Sequence, residues 1–547
     1  MRFLYDRELF KRYYKDIIKN VLLLLIISVL SIAAPLILRN AIDYESGTGF
    51  SVQAIGYYLV LVTILHSVRF IYHRFSFWFS EKFKNFETVN LYKKIFHMSY
   101  DKINEMEPTY IAERVRDTVN TIFSLYCNSL TGIFVSVITV IAVLAVVAGI
   151  DIPLAVLYFL QVPLQYFGFQ KLLNGEKSKL AQYSYEMTTI AAKSNKNIKA
   201  VISDVNSIKQ YSDSDGILSF IKSSIENITK IERKANSYAM DMCTILNYIS
   251  LLLKNSCYVY IIYLYITNRA TIGDMIYLNL VNDIYYTSIG DLINIQINLR
   301  DLHGAVQFVS DEIEKNYEDD GEKTFEKIDS ISGTIKDVGY KDKNLIEEGS
   351  FVFKRGDIVA LTGDSGTGKS TFVKTLNKFL TCDGIKVNGC DMKEISNRFL
   401  REKVFYLAQS SYLLPFSIKD NITLGAAFSE EKWEQLLGLD FMQKFIGQEE
   451  GLDMIVYENG NNLSGGDKQK IMLGRIFLQN PDVIILDESF NAIDEKSGED
   501  IIDEIVSMYA DKIIIIISHS EKYFKHCNKR INIKDKSLKE THFQTIE

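Results

Sequence analysis

Glycines, a lysine and a hydroxyl residue are crowded into "DIVALTGDSGTGKST" (residues 357–371), in the spacing G-x-x-x-x-G-K-S. An apolar strand, a glycine-rich turn and a helix start follow in that order. Along Gly363, Asp364, Ser365, Gly366, Thr367, Gly368, Lys369, Ser370 and Thr371, backbone N–H groups can wrap a chain of phosphates. Lys369 can reach the outer phosphates, and the Ser370 hydroxyl can bind Mg²⁺. Downstream, "PDVIILDESFNAID" is an apolar strand ending in two acids. At such a strand end Asp487 would hold Mg²⁺, and Glu488 would polarise an attacking water or accept its proton. "DKIIIIISHS" is a further buried strand, and it delivers His519 to the strand ends of a parallel sheet, where ligands bind. Finally, "NNLSGGDKQK" (461–470) opens a helix that Asn462 or Ser464 can cap, and the free N–H groups around Ser464, Gly465 and Gly466 form an anion site. An acid, Asp467, stands directly behind that site. Two unit charges about 7 Å apart at an effective dielectric near 20 interact by roughly 2 kcal/mol. Asp467 would therefore repel a bound phosphate unless Lys468 or Lys470 neutralises it or it points to solvent.

The elements that must position these residues occupy only the second half of a 547-residue chain. A formal charge of −7 and a pI near 5.7 argue against nucleic acid as a partner. The six cysteines, Cys127, Cys243, Cys257, Cys382, Cys390 and Cys527, contain no C-x-x-C pair and indicate neither a zinc site nor a disulfide framework. The first half carries runs long enough for a bilayer, which needs about 20 apolar residues per helix. "VLLLLIISVLSIAAPLIL" begins the first, and spans are expected at about 18–41, 54–77, 131–150, 151–170, 242–266 and 273–299, within a membrane domain at 1–315. Arg2, Arg7, Lys11, Arg12, Lys15 and Lys19 precede the first span and place the N-terminus in the cytoplasm. The polar stretches 81–122 and 176–220 read as helix throughout, continuing the spans into the cytoplasm. "NYEDDGEKTFEKIDS" is charged and without apolar period, so 316–331 reads as a linker ahead of a nucleotide-binding domain at 332–547.

Taken in order, a P-loop, an LSGG stretch, a strand–Asp–Glu and a strand–His resemble the nucleotide-binding domain of an ABC transporter, and six spans ahead of it are similar to the exporter-type half-transporters. The resemblance implies an all-α six-helix transmembrane domain with long cytoplasmic helical extensions, followed by an α/β P-loop ATPase domain with a helical subdomain. It implies ATP and Mg²⁺, and catalytic roles for Glu488 and His519. Gln409 would sit in the loop reaching Mg²⁺ and the membrane domain, and Glu458 in the loop touching the cytoplasmic helices. "NAID", Asn491 to Asp494, would cross between subunits. Pro35, Asp43, Asp117 and "SIKQYSDSDGILSF" sit where such exporters carry similar residues. The family's LSGG helix start caps the γ-phosphate of an ATP held by the other subunit, so the resemblance implies a dimer with a second copy or a related half-transporter. The family usually has Gln where this chain has Asp467, and the column of the adenine-stacking aromatic falls on Asp342, leaving Tyr340 as the candidate. The expected location is the bacterial plasma membrane, with the nucleotide-binding domain in the cytoplasm. A leader-cleaving exporter is not expected, because no peptidase-length segment precedes the first span.

For the cargo, the sixth span is unusually polar: Asn279, Asp283, Thr287, Asp291, Asn294 and Asn298 recur at helical spacing. Lys254 lies in the fifth span, and His66, Arg69 and His73 share a face of the second. Charges inside a membrane are costly and face a partner or a watery cavity. They line a hydrated pathway for a peptide or amphipathic molecule, or Lys254 pairs with Asp283 or Asp291 and holds the bundle together. A lipid or drug exporter and an ATP-gated channel stay open. The DNA-organising relatives, with coiled coils in place of spans, are disfavoured.

Overall fold

The computed structural model describes residues 7–43, 52–173, 215–340, 343–409, 412–425, 428–447, 449–457 and 460–541, with a few single positions between 186 and 209. The chain divides into two compact units, Met1–Met98 with Met106–Asn316, and Ser99–Glu105 with Tyr317–Glu547.

The first unit is helical. Helices Arg7–Asp43 and Val52–Ile95 are followed by Pro108–Phe123, which runs through a π-helical turn at Ser124–Ser129 into Leu130–Ala148. Helices Ile152–Leu173, Asp215–Ile266 and Ile272–Gln307 complete it. Among the described residues four helical stretches are long and apolar enough to cross a membrane, Leu9–Asp43, Gln53–Ile95, Pro108–Ala148 and Asn247–Ile266, and Ile152–Gln165 is a shorter apolar one. The sixth expected span coincides with the helix Ile272–Gln307, which is not among these four. Its apolar residues Tyr277, Leu278, Val281 and Tyr285 are buried against Val143 and Val147, Leu154 and Tyr158, and Cys257 and Ile261. Packed among several other helices, it has less need of an apolar surface all round. Thr271 starts it with a full capping box, its hydroxyl accepting from the Asp274 N–H while the Asp274 carboxylate accepts from the Thr271 N–H.

Two sequence expectations are corrected. The stretch 81–122 is not one helix: it ends at Ile95, forms a short helix at Tyr100–Glu105, and restarts at Pro108. Proline fixes its own φ, lacks an N–H and drives the preceding residue out of the helical region; Glu107 accordingly sits at φ −73°, ψ 135°. The short piece belongs to the second unit, where the Tyr100 ring stacks on Phe379 at 4.8 Å and the Lys374 ammonium lies 5.4 Å over the same ring. The charged stretch expected as a linker is likewise fastened down. The Asp320 carboxylate accepts the Asn397 N–H at 2.7 Å, Glu318 pairs with Arg401, and Lys323 forms a bridge with Ile395. A Cβ on Gly321 would lie 2.1 Å from the Glu394 carbonyl carbon, so only glycine permits this approach. The second expected cytoplasmic extension falls mostly outside the described residues.

The second unit is built on a ten-stranded sheet of β1 Ser330–Tyr340, β2 Lys343–Lys354, β3 Ile358–Thr362, β4 Ile385–Val387, β5 Cys390–Asp391, β6 Val404–Leu407, β7 Val483–Asp487, β8 Ile513–Ile517, β9 Lys529–Lys534 and β10 Ser537–Thr541, in the order β5-β4-β1-β2-β10-β9-β3-β8-β7-β6. Strands β9, β3, β8, β7 and β6 run parallel. β7 and β8 are buried at every residue, as strands covered on both faces must be. On one side of them the core includes Ile484, Leu486, Ile514 and Ile516, with Leu436, Met442, Phe445 and Ile471 from the helices; on the other it includes Ile485, Ile515, Phe372 and Val373. This parallel core carries Thr362, Asp487 and Ile517 to its C-terminal edge.

Candidate functional site

At that edge the chain after β3 turns through Gly363 (φ 147°), Gly366 (φ 80°) and Gly368 (φ 102°) into the helix Lys369–Leu376. At Gly363 a Cβ would also meet the Ile533 carbonyl oxygen at 2.5 Å, so space and backbone both demand glycine. Lys369 folds back over its own loop and donates to the carbonyls of Gly363 at 2.7 Å and Asp364 at 3.0 Å.

Asp487 ends β7 and is 1% exposed. Its Oδ2 accepts the Tyr406 hydroxyl at 3.0 Å, and its Oδ1 is buried with no hydrogen-bond partner. Burial pushes this carboxyl above the ordinary range; the Ser370 and Tyr406 hydroxyls oppose that, the Glu488 charge adds to it, and Lys374 opposes it. Burial drives the Tyr406 hydroxyl up as well. Across the window between the unfolded and the raised folded pKa of Asp487, folding takes up a proton. Stability therefore falls as pH rises through that window, and the full cost stands above it. Asp487→Asn should flatten this decline and raise the melting temperature of the metal- and nucleotide-free protein above that window. Thermal melts in chelator between pH 4 and 8 check it; an unchanged profile would show that the buried charge costs nothing.

Glu488 follows in the left-handed region (φ 51°), with its N–H donating to the Ile517 carbonyl at 2.9 Å. That backbone is costly for a non-glycine residue and is kept where surroundings impose it. Its carboxylate gathers three neighbours: Gln409 Nε2 and Asn491 Nδ2 (2.9 Å) donate to Oε2, and His519 Nε2 lies 3.2 Å from Oε1. β6, β7 and β8 thus bring Gln409, Glu488 and His519 together from three distant segments.

The helix Gly465–Gln479 opens with Ser464 as its cap, the hydroxyl accepting the Asp467 N–H at 3.2 Å. A Cβ on Gly466 would stand 2.9 Å from the Ala492 carbonyl oxygen, and Gln469 Oε1 accepts the Ala492 N–H at 3.0 Å, so this helix start is seated on the loop 491–494. Asp467 is 8% exposed, which corrects the solvent-pointing alternative. Its bonded partner is neither Lys468 nor Lys470 but Lys444, at 2.7 and 2.8 Å to its two oxygens. Burial works to raise the Asp467 carboxyl, and the bonds from Lys444 and Ser464 hold it below its ordinary value. Tyr406 and Lys444 were assigned no role from sequence, whereas Gln469 and Asn491 lay within noted motifs without an assigned contact. The Tyr340 side chain, Asp342 and Glu458 lie outside the described residues.

In the helical unit Lys254 Nζ is 2.6 Å from Asp283 Oδ1, to which the Tyr258 hydroxyl also donates at 2.6 Å. Of the two acids offered for Lys254, it is Asp283 that pairs. Asp291 lies against Ser136, and Asn282 ties the Tyr158 hydroxyl (2.7 Å) to the Lys254 carbonyl. The Thr287 hydroxyl donates to its own helix at the Asp283 carbonyl. His66 is exposed, and Arg69 reaches Ser31 at 3.5 Å. The side chain of Asn294 lies outside the described residues.

Residues 346–491 match the family model "ABC transporter", and residues 17–288 match "ABC transporter transmembrane region". YgaD of Bacillus subtilis (strain 168), an ATP-binding/permease protein named for multidrug export, is 25% identical over 98% of this chain and 96% of its own length. The microcin-J25 export ATP-binding/permease protein McjD of Escherichia coli is 25% identical over 90% of this chain and 87% of its own. A solved bacterial Atm1-family ABC exporter with ATP bound shares the fold, with a TM-score of 0.81, 16% identity and coverage of 96% of this chain and 95% of that one. The chain is a membrane-embedded member of the ABC transporters, an exporter-type half-transporter with its helical membrane domain and its ATP-hydrolysing domain fused in one polypeptide.

Proposed function

We propose that two copies of this chain clamp two ATP molecules between their nucleotide-binding domains and use the cycle to move a peptide or peptide-like amphipathic cargo out of the cytoplasm. The carrying observation is the Glu488 cluster. Gln409, Asn491 and His519 converge on one carboxylate beside the buried end of β7. In this reading Gly363 to Thr371 cradle the phosphates and Lys369 leaves its own carbonyls to neutralise them. Ser464 to Gly466 meet the γ-phosphate of the ATP held by the other copy. Glu488 takes the proton of the attacking water, and His519 orients that carboxylate and the phosphate. The unpartnered Oδ1 of Asp487 and the Ser370 hydroxyl fit a magnesium ion, with Gln409 near by. Bound there, it would offset phosphate charge.

A peptide cargo is supported by the relation to McjD and, over 51% of this chain and 40% of the relative, by 27% identity to the sublancin-168-processing and transport protein SunT of Bacillus subtilis (strain 168). It is supported also by the polar stripe on the helix Ile272–Gln307, which carries Asp283 and Asp291, with Lys254 of the neighbouring helix beside it. The ATP-dependent lipid A-core flippase of Vibrio vulnificus (strain CMCP6), 31% identical over 39% of this chain, keeps a lipid as the competing cargo. Proteoliposomes with outward-facing nucleotide-binding domains decide the matter. ATP-dependent accumulation of labelled amphipathic peptides, lost in Glu488→Gln, is the expected result. Flipping of labelled lipid without peptide uptake would overturn the peptide assignment.

A further inference from the structure

The acid of the helix Gly465–Gln479, the signature helix that follows LSGG, is fully engaged. Ser464 has one hydroxyl proton, and it goes to Asp467 Oδ2 at 2.7 Å, while its lone pair takes the Asp467 N–H. Both Asp467 oxygens also receive the Lys444 ammonium. The Lys444 side chain is 54% exposed, but the backbone that carries it is anchored. Its short helix, Asp440–Ile446, buries Phe441, Met442 and Phe445 in the core that holds Ile471, Met472 and Leu473 of the signature helix. The two backbones are thereby held at one separation, and the pair spans it. With Asp467 only 12% exposed at its side chain, removing the ammonium would leave a negative charge with little solvent to screen it. That charge would stand one residue behind the N–H groups of Gly465 and Gly466.

We propose that Lys444 is a positioning residue for ATP. By neutralising Asp467 and holding the carboxylate that orients Ser464, it lets an acidic signature helix accept the γ-phosphate of the other copy's ATP. The pair does the work of a neutral side chain at position 467. Lys444 itself touches no reacting atom. This rests on the reading that Ser464 to Gly466 meet ATP across a dimer.

The test is an ATP titration of steady-state hydrolysis by the full-length protein in nanodiscs, with melting temperatures measured in parallel. Lys444→Met should raise the half-saturating ATP concentration about tenfold and leave the rate at saturation within about twofold. Lys444→Arg should stay close to the parent. Lys444→Met combined with Asp467→Gln should recover the parent half-saturation, because no charge then remains to neutralise. A purely structural lysine would instead lower the melting temperature and the saturated rate, and the double variant would stay impaired. That result, or a normal half-saturation in a folded Lys444→Met, overturns the proposal. Should Lys444→Met fail to fold, Lys444→Gln is held to the same criteria. Ser464→Glu, in a Glu488→Gln background, separates the two levels of the argument. If ATP-induced closure of the dimer survives it, the trans-phosphate reading falls and the role of Lys444 falls with it. If closure is lost while the Lys444 variants behave as the parent, only the role of Lys444 falls.

Discussion

Glu488→Gln should lower steady-state ATP hydrolysis at least 100-fold while the protein still binds ATP and stays closed on it. A positioned general base contributes about 10²–10⁴ to a rate, and glutamine keeps the size of the side chain while losing its ability to take a proton. The left-handed backbone at Glu488 and its N–H bond to Ile517 do not depend on the carboxylate, so the turn should persist in the variant. The proposed nucleotide cradle, Gly363 to Thr371, is a separate segment with its own glycine constraints, which is why binding should survive. Hydrolysis assays together with quantification of retained nucleotide check both halves. Turnover near the parent rate would remove Glu488 from the role of base.

The second large effect is expected in the membrane. Lys254→Met strips Asp283 of its ammonium and leaves the Tyr258 hydroxyl as its remaining bonded neighbour. Breaking a buried pair costs about 3–5 kcal/mol because it strands the other charge, and an exposed pair is worth at most about 1 kcal/mol. The Lys254 side chain is 28% exposed and that of Asp283 54%, so about 2 kcal/mol of destabilisation is the expectation. Asp283→Asn should cost a comparable amount, and the double variant should recover most of it. Melting temperatures of the four proteins measure the coupling, and basal and cargo-stimulated hydrolysis show whether the pair also meets cargo. Unchanged stability with cargo stimulation lost would make Lys254 a cargo contact and reject the structural pair.

What could be read from sequence was the chemistry carried by contiguous residues. The strand–turn–helix around 358–376 was legible because its glycines, lysine and serine must be adjacent to work. The apolar strands ending at Asp487 and next to His519 were legible because a strand covered on both faces is apolar throughout. Partners brought together by packing were not. Tyr406 meets Asp487 across 81 residues, Lys444 meets Asp467 across 23, and Gln469 meets Ala492 across 23. None of these pairs has a local signature, since the register of β6 on β7 and the seating of one helix on another decide them. The charged stretch after Asn316 misled for a related reason. Charge without apolar period reads as solvated chain, yet here it caps a helix and pairs with Arg401. Pro108 was in plain view, but the helix-forming residues on either side of it outweighed the break it makes.

The placement of Ser99–Glu105 bears on how such chains can be inherited and rebuilt. Tyr100 lies in the first fifth of the polypeptide, yet its ring covers Phe379. A recombination event or a designed chimera that exchanged the ATPase by joining two chains near Asn316 would separate these partners. The incoming domain would present its counterpart of Phe379 to a short helix selected for another surface. Grafts that carry the segment around Tyr100 along with the C-terminal half should couple hydrolysis to transport better than grafts that do not. Lineages that traded ATPase domains should show substitutions at positions 99–105 that track those around Lys374 and Phe379.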